Sequence, residues 1–402
     1  MKYGILLLSV FLSYCSAEHP RVVDDHDSEL VKITVDVEKT DTLRMSEYFS
    51  NITYHHLKTP NNEPIGRIFK ILIQDNHVAL YDRSKKSVWI FTKSGEYVNE
   101  VKIPQGRGVG ELENISDVYF DNENRIHALG SFELLMLDME GNLIEEISLD
   151  FFGYRFTYYE NTGNYFAYSG TFNTRIPDQF QGYDLYKFNM RGQVIGSYIP
   201  QVENKLGLDF GVPNSFPVYR GVYYYFQHLN DTVYYIGEND LKPAYVFEFG
   251  DQALPEEIFE RRKKYGTEFW QWSDFWENEI DPYDYITHKT NFEVTDRYIH
   301  SRLGSAESNY MILYDREKKT THIGKDKFVN DIDYGPSPYI YLSSDESLYS
   351  YVEANDMLRH LNELYNNDRE KYFSREVEQL RRIADSMREN SNPILMRLDF
   401  NE

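Results

Sequence analysis

The sequence predicts an all-β fold, and two observations carry this prediction. First, residues that favour strands are abundant: 35 Tyr and 25 Phe occur in 402 residues, of which 41% are hydrophobic. Second, short runs of such residues alternate with turns rich in Asp, Asn and Gly, most clearly within residues 71–149. A chain of this length and composition can bury one large core.

The turns recur with a period. The segments 92–95, 138–141 and 189–192 each end in glycine, and Gly95, Gly141 and Gly192 are 46 and 51 residues apart. Glycine at the end of such a turn accepts a positive φ. A period of roughly 40–50 residues with about four short strands is typical of a β-propeller. The alternative is an antiparallel sandwich with accidental internal similarity.

The sequence therefore predicts a six-bladed β-propeller over residues 45–400. The predicted blades cover residues 71–103, 115–149, 151–199, 216–250, 292–323 and 328–400. The last strand, 394–400, is expected to close the ring by sharing a blade with the start of the domain, because closure removes an exposed sheet edge.

Two helical insertions interrupt this pattern, near residues 255–280 and 355–390. The first begins with Pro255 and ends in a basic run at 261–264, which suits the helix dipole. The second carries apolar residues at helical spacing. They are Phe373, Val377, Leu380, Ile383, Ala384 and Met387.

The first 15 residues predict a targeting segment. Lys2 precedes an apolar run at 5–12, which is too short to span a bilayer. Cys15, the single cysteine, follows and resembles the acylated cysteine of a bacterial lipobox, although Tyr14 stands where a small residue is usual. The alternative is ordinary cleavage after Ala17, which would discard Cys15 and give a secreted protein. Residues 16–44 are then an acidic tether and a lead-in strand.

The net charge of −23 disfavours nucleic acid as a partner, because an acidic surface repels phosphate. No His-Glu-x-x-His or Gly-x-Ser-x-Gly motif is present, and the histidines share no common position in the repeats. No catalytic residue, metal ligand or cofactor is predicted. Calcium or another divalent metal is the open alternative to the absence of a cofactor.

Two stretches are candidate binding sites. The loop 104–112 has glycines at alternate positions and presents Arg107 and Glu111. Since a strand follows it, a phosphate-binding loop is rejected, and the loop is either a strained connection or part of a binding face. The second stretch contains Trp270, Trp272 and Trp276, which form either an aromatic platform for sugar rings or the packed face of an insertion helix.

Several segments resemble the six-bladed β-propeller lipoproteins of Bacteroidetes-type bacteria, which are related to NHL-like and TolB-like propellers. The matching segments are 65–71, 80–83, 105–112, 230–234, 243–245, 249–250 and 392–395. The chain departs from the family in the glycine loop, where Val109 replaces a proline. The resemblance implies six blades and an envelope lipoprotein, lipid-anchored to the outer membrane, and it implies no catalytic residues.

Two functions remain open at this point. The first is a binding or scaffold lipoprotein of the cell envelope, with a glycan, peptide or envelope protein as partner and the membrane reached through the lipid anchor. The second is a propeller enzyme, a metal-dependent lyase, lactonase or glycan-processing hydrolase with its site in the central channel. The lack of a catalytic motif favours the binding function.

Overall fold

The structure is a computed structural model. It describes residues 30–74, 76–170, 175–201, 212, 214–266, 269–338, 342–343 and 347–401, with the backbone alone at 269–270 and 342–343. Within these residues, 25 strands form six sheets, of which five have four strands and one has five. Cys15 and most of the acidic tether fall outside the described residues.

Four sheets are simple antiparallel meanders of consecutive strands, numbered here in chain order. Sheet 1 contains β3 (Ile68–Gln74), β4 (His77–Asp82), β5 (Ser87–Thr92) and β6 (Tyr97–Lys102). Sheet 2 contains β7 (Asp117–Phe120), β8 (Ile126–Leu129), β9 (Glu133–Leu137) and β10 (Leu143–Ser148). Sheet 3 contains β11 (Arg155–Tyr159), β12 (Asn164–Tyr168), β13 (Tyr183–Phe188) and β14 (Val194–Pro200). Sheet 5 contains β19 (His288–Val294), β20 (Tyr298–Gly304), β21 (Asn309–Asp315) and β22 (Thr320–Lys325).

The other two sheets each take a strand from the N-terminal part of the chain. Sheet 4 contains β15 (Val218–Tyr219), β16 (Val222–Tyr225), β17 (Thr232–Ile236) and β18 (Leu241–Glu248), and β1 (Val31–Thr34) pairs in parallel with β18. Sheet 6 contains β23 (Leu342–Ser343), β24 (Ser347–Val352) and β25 (Ile394–Phe400), with β2 (Phe49–His56) as its fourth strand. Because β2 pairs with β25, the two ends of the described chain share sheet 6.

Hydrophobic clusters fill the spaces between successive sheets. Five of them join sheets 1 to 2, 2 to 3, 3 to 4, 4 to 5 and 5 to 6. A further cluster packs Tyr349 and Leu395 of sheet 6 against Leu80 and Trp89 of sheet 1. The first strands also lie side by side where β3 meets β7, β7 meets β11, and β23 meets both β19 and β3. The sheets therefore form a closed ring around their first strands, which is the arrangement of a β-propeller.

This ring explains why the middle strands are apolar at almost every position. Each sheet packs on both faces, so β4, β5, β8 and β9 are buried nearly throughout, whereas most residues of the outer strands β6, β10 and β14 are partly or fully exposed. The predicted turn glycines occupy one recurrent place, between the third and fourth strands, with φ of 81° at Gly95, 86° at Gly141 and 74° at Gly192.

The helices lie in two insertions. Between sheets 4 and 5 are α2 (Glu256–Arg261) and α3 (Phe269–Glu279). Between β24 and β25 are α4 (Ala354–Asn367), α5 (Arg369–Tyr372) and α6 (Glu378–Asp385), while α1 (Met45–Tyr48) precedes β2. Short 3-10 turns occur at Val37–Lys39, Pro60–Asn62, Asp178–Phe180, Gly250–Gln252, Arg262–Lys264 and Asp281–Tyr283. Within the described residues, no helix combines the length and the apolar character that crossing a bilayer requires.

The second insertion differs from the single apolar stripe that its sequence predicts. Asp368 ends α4 and caps α5 by accepting a hydrogen bond from the backbone N–H of Lys371, so the helix is broken there. Val377 and Leu380 are buried, as predicted, but Phe373 follows α5 and its side chain is 60% exposed.

Antiparallel pairing places the connections at two edges of the ring. The mouth edge is the edge that carries the connections between sheets and the turns between second and third strands. Of the described residues it comprises 57–67, 83–86, 103–116, 130–132, 149–154, 169–170, 175–182, 201, 212, 214–217, 226–231, 249–266, 269–287, 305–308, 326–338 and 353–393. The opposite edge carries the remaining turns, including those of the three recurrent glycines. Both helical insertions therefore belong to the mouth edge.

A candidate binding site at the mouth edge

Charged residues lie within the first three positions of four of the first strands, at the mouth edge. They are Lys70, Asp117, Arg155 and Lys289, and each pairs with a residue at or next to the last position of the second strand. First strands of neighbouring sheets diverge here, so their backbone groups need side-chain partners. The repeats thus place charge around the inner rim of the ring.

Lys70 and Asp117 form a buried ion pair between sheets 1 and 2. The Lys70 Nζ lies 3.0 and 3.2 Å from the two Asp117 carboxylate oxygens and donates to the Val118 carbonyl at 3.1 Å. Asp117 also accepts the backbone N–H of Phe156 in sheet 3. Burial lowers the pKa of Lys70, and the Asp117 charge opposes that shift. The pair therefore links three sheets and leaves Asp117 no unused charge for a ligand.

Arg155 continues this rim into sheet 3. Its guanidinium donates to the carbonyls of Ser116 (2.9 Å), Tyr154 (2.6 Å) and Val212 (2.9 Å). Burial lowers the pKa of Arg155 from its ordinary value; Asp117 opposes this, and the nearby positive charge of Arg83 adds to it. Arg155 and Arg83 are therefore close enough to repel each other.

Phe69 connects these two arginines. The guanidinium carbon of Arg83 lies 4.9 Å from the Phe69 ring centroid, and that of Arg155 lies 5.0 Å from it. Phe69 is half-buried and Arg83 is exposed. Within the described residues the Arg83 guanidinium has neither an ion-pair nor a hydrogen-bond partner. Both cations thus share one aromatic ring, a favourable contact that leaves the Arg83 charge uncompensated.

Tyr81 lies beneath this group. Its ring is 6.1 Å from Phe69 in an edge-to-face arrangement. Burial raises the pKa of Tyr81 to about 12, and the charges of Arg83 and Arg155 act in the opposite direction. The Tyr81 hydroxyl is therefore protonated at neutral pH and can donate a hydrogen bond. We call Phe69, Tyr81, Arg83 and Arg155 the arginine site.

An arc of aromatic rings extends from the arginine site along sheets 2 and 3. Tyr154 lies 6.2 Å from Tyr168 and 4.7 Å from Phe152, and Phe152 lies 6.3 Å from Phe132. The guanidinium of Arg175 lies 4.4 Å from the Phe132 ring. Phe132, Phe152 and Tyr154 are half-buried, so the arc presents part of its surface at the mouth edge.

The predicted glycine loop belongs to the same edge, but its polar groups are engaged within the loop or with its neighbours. Glu111 accepts the backbone N–H of Gly108 at 2.9 Å, and a β-carbon on Gly106 would lie 1.9 Å from the Glu111 carboxylate. Arg107 forms an exposed ion pair with Glu113 at 2.5 Å, with 82% of its side chain accessible. Glu111 therefore shapes the loop, and Arg107 remains accessible to a partner.

Two of the predicted tryptophans pack mainly within the first helical insertion. Trp272 and Trp276 are half-buried in α3, with ring centroids 5.5 Å apart, and Trp276 meets the His288 ring edge-on at 6.0 Å. Trp270 lies in α3, and its side chain is outside the described residues. The structure thus does not bring Arg107 and Glu111 together with the tryptophans, because they occupy connections after different sheets.

A second polar group adjoins α3. The His228 and His288 rings lie 5.1 Å apart, and burial lowers the pKa of His228 to about 3. Lys289 is buried and its Nζ lies 2.7 Å from Asp231. This pair borders a cavity of about 210 Å³ that α2 covers. Sequence comparison of the repeats did not detect this pairing of histidines, because His228 lies in the turn between β16 and β17 whereas His288 is the first residue of β19.

One buried group has the residue types of a catalytic triad. His127 contacts Asp121 through Nε2 and the Tyr165 hydroxyl through Nδ1, both at 2.9 Å. Asp121, His127 and Tyr165 are all fully buried between sheets 2 and 3, so a substrate cannot reach them. They satisfy one another and fix the packing of the two sheets. In the part of the chain that is described, no three His, Cys, Asp or Glu side chains are arranged to hold a metal ion.

The arginine site itself was not predicted from the sequence. Arg83 and Phe69 lie in segments that resemble known propellers, but nothing in their spacing indicates that they meet Arg155, some 70 residues later. Asp117 and Arg155 both hold the first position of a first strand, so aligning the repeats there would have found these two together, whereas Lys70 is the third residue of β3.

Comparisons with known proteins agree with this fold. A crystal structure of a protein described as exported, from Bacteroides fragilis NCTC 9343, superposes with a TM-score of 0.74 at 18% identity, covering 93% of this chain and 100% of that one. A member of the DUF4221 family from Bacteroides vulgatus covers 88% of this chain and 97% of its own, with a TM-score of 0.48 at 11% identity. No curated protein matches the sequence. At these identities the likeness concerns the fold alone. The family model described as "Domain of unknown function (DUF4934)" matches residues 29–399, and the chain therefore belongs to that family.

Proposed function

We propose that this protein is a six-bladed β-propeller of the cell envelope that binds a glycan, peptide or protein partner at its mouth edge. Six sheets joined by six interfacial clusters support the blade number. In this proposal β1 is an added outer strand of the fourth blade, and the sixth blade is completed by β2 from the start of the domain.

The observation that carries the binding function is the distribution of exposed apolar side chains. The three most exposed large hydrophobic side chains of the described residues are Val109 (90%), Phe373 (60%) and Tyr283 (55%). All three lie in connections of the mouth edge. Burying apolar surface stabilises association, so an edge that carries the most exposed apolar side chains is a candidate interaction surface. The aromatic arc lies on the same edge, and it favours the glycan among the three partner chemistries.

Two of the predicted site groups fit this proposal as secondary contacts. Arg107 stands next to exposed Val109, and Trp276 lies on the insertion that carries Tyr283. The Tyr283 ring also stacks on Tyr285 at 5.5 Å, which gives the insertion a flat aromatic surface. Glu111 contributes to the proposed contact by holding the glycine loop in shape. The described residues offer no comparable support for the enzyme alternative.

Localisation rests on the N-terminal segment. A charged start, a short apolar run and Cys15 favour a lipoprotein anchored in the outer membrane, and ordinary cleavage would give a secreted protein instead. The exported description of the similar Bacteroides protein is consistent with either form. Replacing Cys15 with Ser should move the protein from the membrane fraction to the soluble fraction; retention in the membrane would contradict the anchor.

The binding function can be tested with two matched variants of the fragment that starts at residue 17. The first replaces Val109, Tyr283 and Phe373 with Ser at the mouth edge. The second replaces Val98, Ile144 and Ile195, which are 37–50% exposed on outer strands, with Ser. Binding to immobilised polysaccharides, peptides and solubilised envelope proteins is then measured by interferometry.

We expect the first variant to bind the captured partner at least about tenfold more weakly, since loss of central apolar contacts costs more than about 1 kcal/mol each. The second variant should bind within about twofold of the wild type. Equal binding by wild type and first variant, or selective loss in the second, would refute the mouth edge as the binding surface.

A further inference from the structure

We propose that the cavity between sheet 4 and the first helical insertion binds one neutral sugar ring, with Asp231 and Lys289 as its main polar contacts. This inference rests on the proposed binding function and specifies one sugar subsite at the mouth edge. The walls of the cavity, its unused hydrogen-bonding groups, its charge and its volume each support it.

Three segments of the mouth edge enclose the cavity. They are residues 229–232, in the turn before β17 and at its start, residues 254–259, which include part of α2, and residues 286–289, which lead into sheet 5. Phe259 and Ile286 are buried and supply apolar walls. A concave site with apolar walls and a few convergent polar groups is the usual form of a small-molecule site.

Lys289 provides hydrogen-bond donors that the protein does not use. Its side chain is 2% exposed, and its ammonium group carries three N–H donors. Among the described residues its Nζ has one hydrogen-bond acceptor, the Asp231 Oδ1 at 2.7 Å, and it lies 5.5 Å from the centroid of the Phe249 ring. A buried donor without an acceptor is costly. A ligand oxygen in the cavity would accept these hydrogen bonds.

Two carboxylates supply the acceptors that ligand hydroxyl groups need. Asp231 uses Oδ1 for Lys289, and in the described part of the chain its Oδ2 has no hydrogen-bond partner. Glu256 begins α2, and its carboxylate forms no hydrogen bond or ion pair within those same residues. Thr232 adds a hydroxyl to the lining. The cavity thus offers donors and acceptors together, which suits hydroxyl groups because each of them can donate and accept.

The charges around the cavity favour a neutral ligand. Asp231 and Lys289 compensate each other at 2.7 Å. A ligand carboxylate would approach the carboxylates of Asp231 and Glu256, and a ligand ammonium would approach the buried Lys289, so each would meet a like charge. A zwitterion such as an amino acid would have to open the ion pair and leave the buried Lys289 charge without its partner. A neutral polyol avoids all three costs.

The volume limits the ligand to about one ring. The cavity holds about 210 Å³, which is several times the share of about 30 Å³ that one water takes and less than the roughly 300 Å³ at which pockets for drug-sized ligands begin. It is partly open to solvent, beside Asp231, whose side chain is 40% exposed, and the exposed Glu256. The C–H groups of a pyranose match the apolar walls, including the aromatic ring of Phe259.

The test is a saturation-transfer NMR titration of the fragment that starts at residue 17, which contains every described residue. The ligands are glucose, galactose, mannose and N-acetylglucosamine, with glucuronate and serine as charged comparators. Glu256→Gln removes one carboxylate of the cavity, and Glu257→Gln is its matched control, because Glu257 is exposed in the same helix and does not line the cavity. Thr232→Val and Asp231→Asn are further variants. Thermal unfolding of each variant verifies that it is folded.

We expect at least one neutral sugar to bind, and to bind more tightly than glucuronate and serine. Glu257→Gln should keep the wild-type affinity, whereas Glu256→Gln should bind at least about fivefold more weakly, because a hydrogen bond to a charged group is lost. Thr232→Val should bind about two- to tenfold more weakly, as loss of a neutral hydrogen bond predicts. Asp231→Asn should lose at least about tenfold, because it also leaves the Lys289 charge without its partner.

Failure of all four neutral sugars to bind would overturn the inference, and so would tighter binding of glucuronate or serine. Equal affinity for the bound sugar in wild type and in either Glu256→Gln or Thr232→Val would overturn it as well.

The proposed function fails separately, because Val109, Tyr283 and Phe373 do not line this cavity. If the Ser variant of those three residues binds its partner as the wild type does, the mouth edge is refuted as the partner surface, whatever the sugars do. If that variant loses its partner while no neutral sugar binds, the binding function stands and the sugar subsite is rejected.

Discussion

Replacing Gly192 with Ala tests the packing of one sheet against the next. Gly192 has a φ of +74°, and a β-carbon there would lie 1.8 Å from the carbonyl oxygen of Ser148, at the end of β10 in the preceding sheet. The positive φ alone costs about 1–2 kcal/mol for a residue with a β-carbon. The clash is with backbone, which cannot rotate away, and such overpacking costs a further 1–3 kcal/mol or so. The expected loss of unfolding free energy is therefore about 2–5 kcal/mol.

Gly221 supplies a matched control. It has the same φ of +74°, but a β-carbon there would meet no atom within 4 Å. Gly221→Ala should therefore lower the unfolding free energy only by the cost of the positive φ, about 1–2 kcal/mol. Urea unfolding followed by tryptophan fluorescence measures both variants. If the two substitutions destabilise equally, the close contact between the Gly192 turn and Ser148 does not exist in solution, and the ring geometry described here is wrong at that interface.

Three further predictions concern charge, pH and closure. Lys70→Met should lower the unfolding free energy by about 3–5 kcal/mol, because it removes the buried partner of Asp117. Lys32→Met, in an exposed pair, should have a much smaller effect, and equal effects in urea unfolding would contradict the buried pair. Burial lowers the pKa of His300 to about 3, so its stabilising contribution is complete above pH 6.5 and is lost as the pH falls toward 3. His300→Leu should therefore reduce the stability lost between pH 7 and pH 5 by about 2 kcal/mol relative to wild type; an unchanged difference would show that His300 protonates freely in the folded state. Truncation after Asn392 removes β25 and separates β2 from sheet 6, so the protein should lose cooperative unfolding in calorimetry, and a normal transition would refute closure through this strand.

The sequence predicted the fold well because its signals are local and repeated. Turn glycines need positive φ wherever the third and fourth strands meet, so Gly95, Gly141 and Gly192 marked their turns without any tertiary information. The closing strand was likewise predictable from the sequence, because Ile394–Phe400 is an apolar run that needs a neighbouring strand. The exposure of Phe373 was not predictable, since periodicity assumes one continuous helix and the Asp368 cap divides it.

The candidate site was less predictable because it depends on which sheets are neighbours. Arg83 and Arg155 are brought together by the packing of sheets 1, 2 and 3, and each looks like an ordinary surface arginine in the sequence. The clustered tryptophans left two interpretations open, an exposed platform or the packed face of an insertion helix. The structure is closer to the second, because Trp272 and Trp276 pack in the apolar cluster of the insertion and Trp276 contacts His288.

Hydrogen exchange of the fragment in the presence and absence of the captured partner tests the central claim, binding at the mouth edge, most directly. The expected result is slower exchange in residues 104–112, 281–286 and 369–374, with no change in the turns at 92–96 and 189–193 on the opposite edge. Slower exchange confined to the outer strands or to the opposite turns would place the ligand elsewhere and contradict the account.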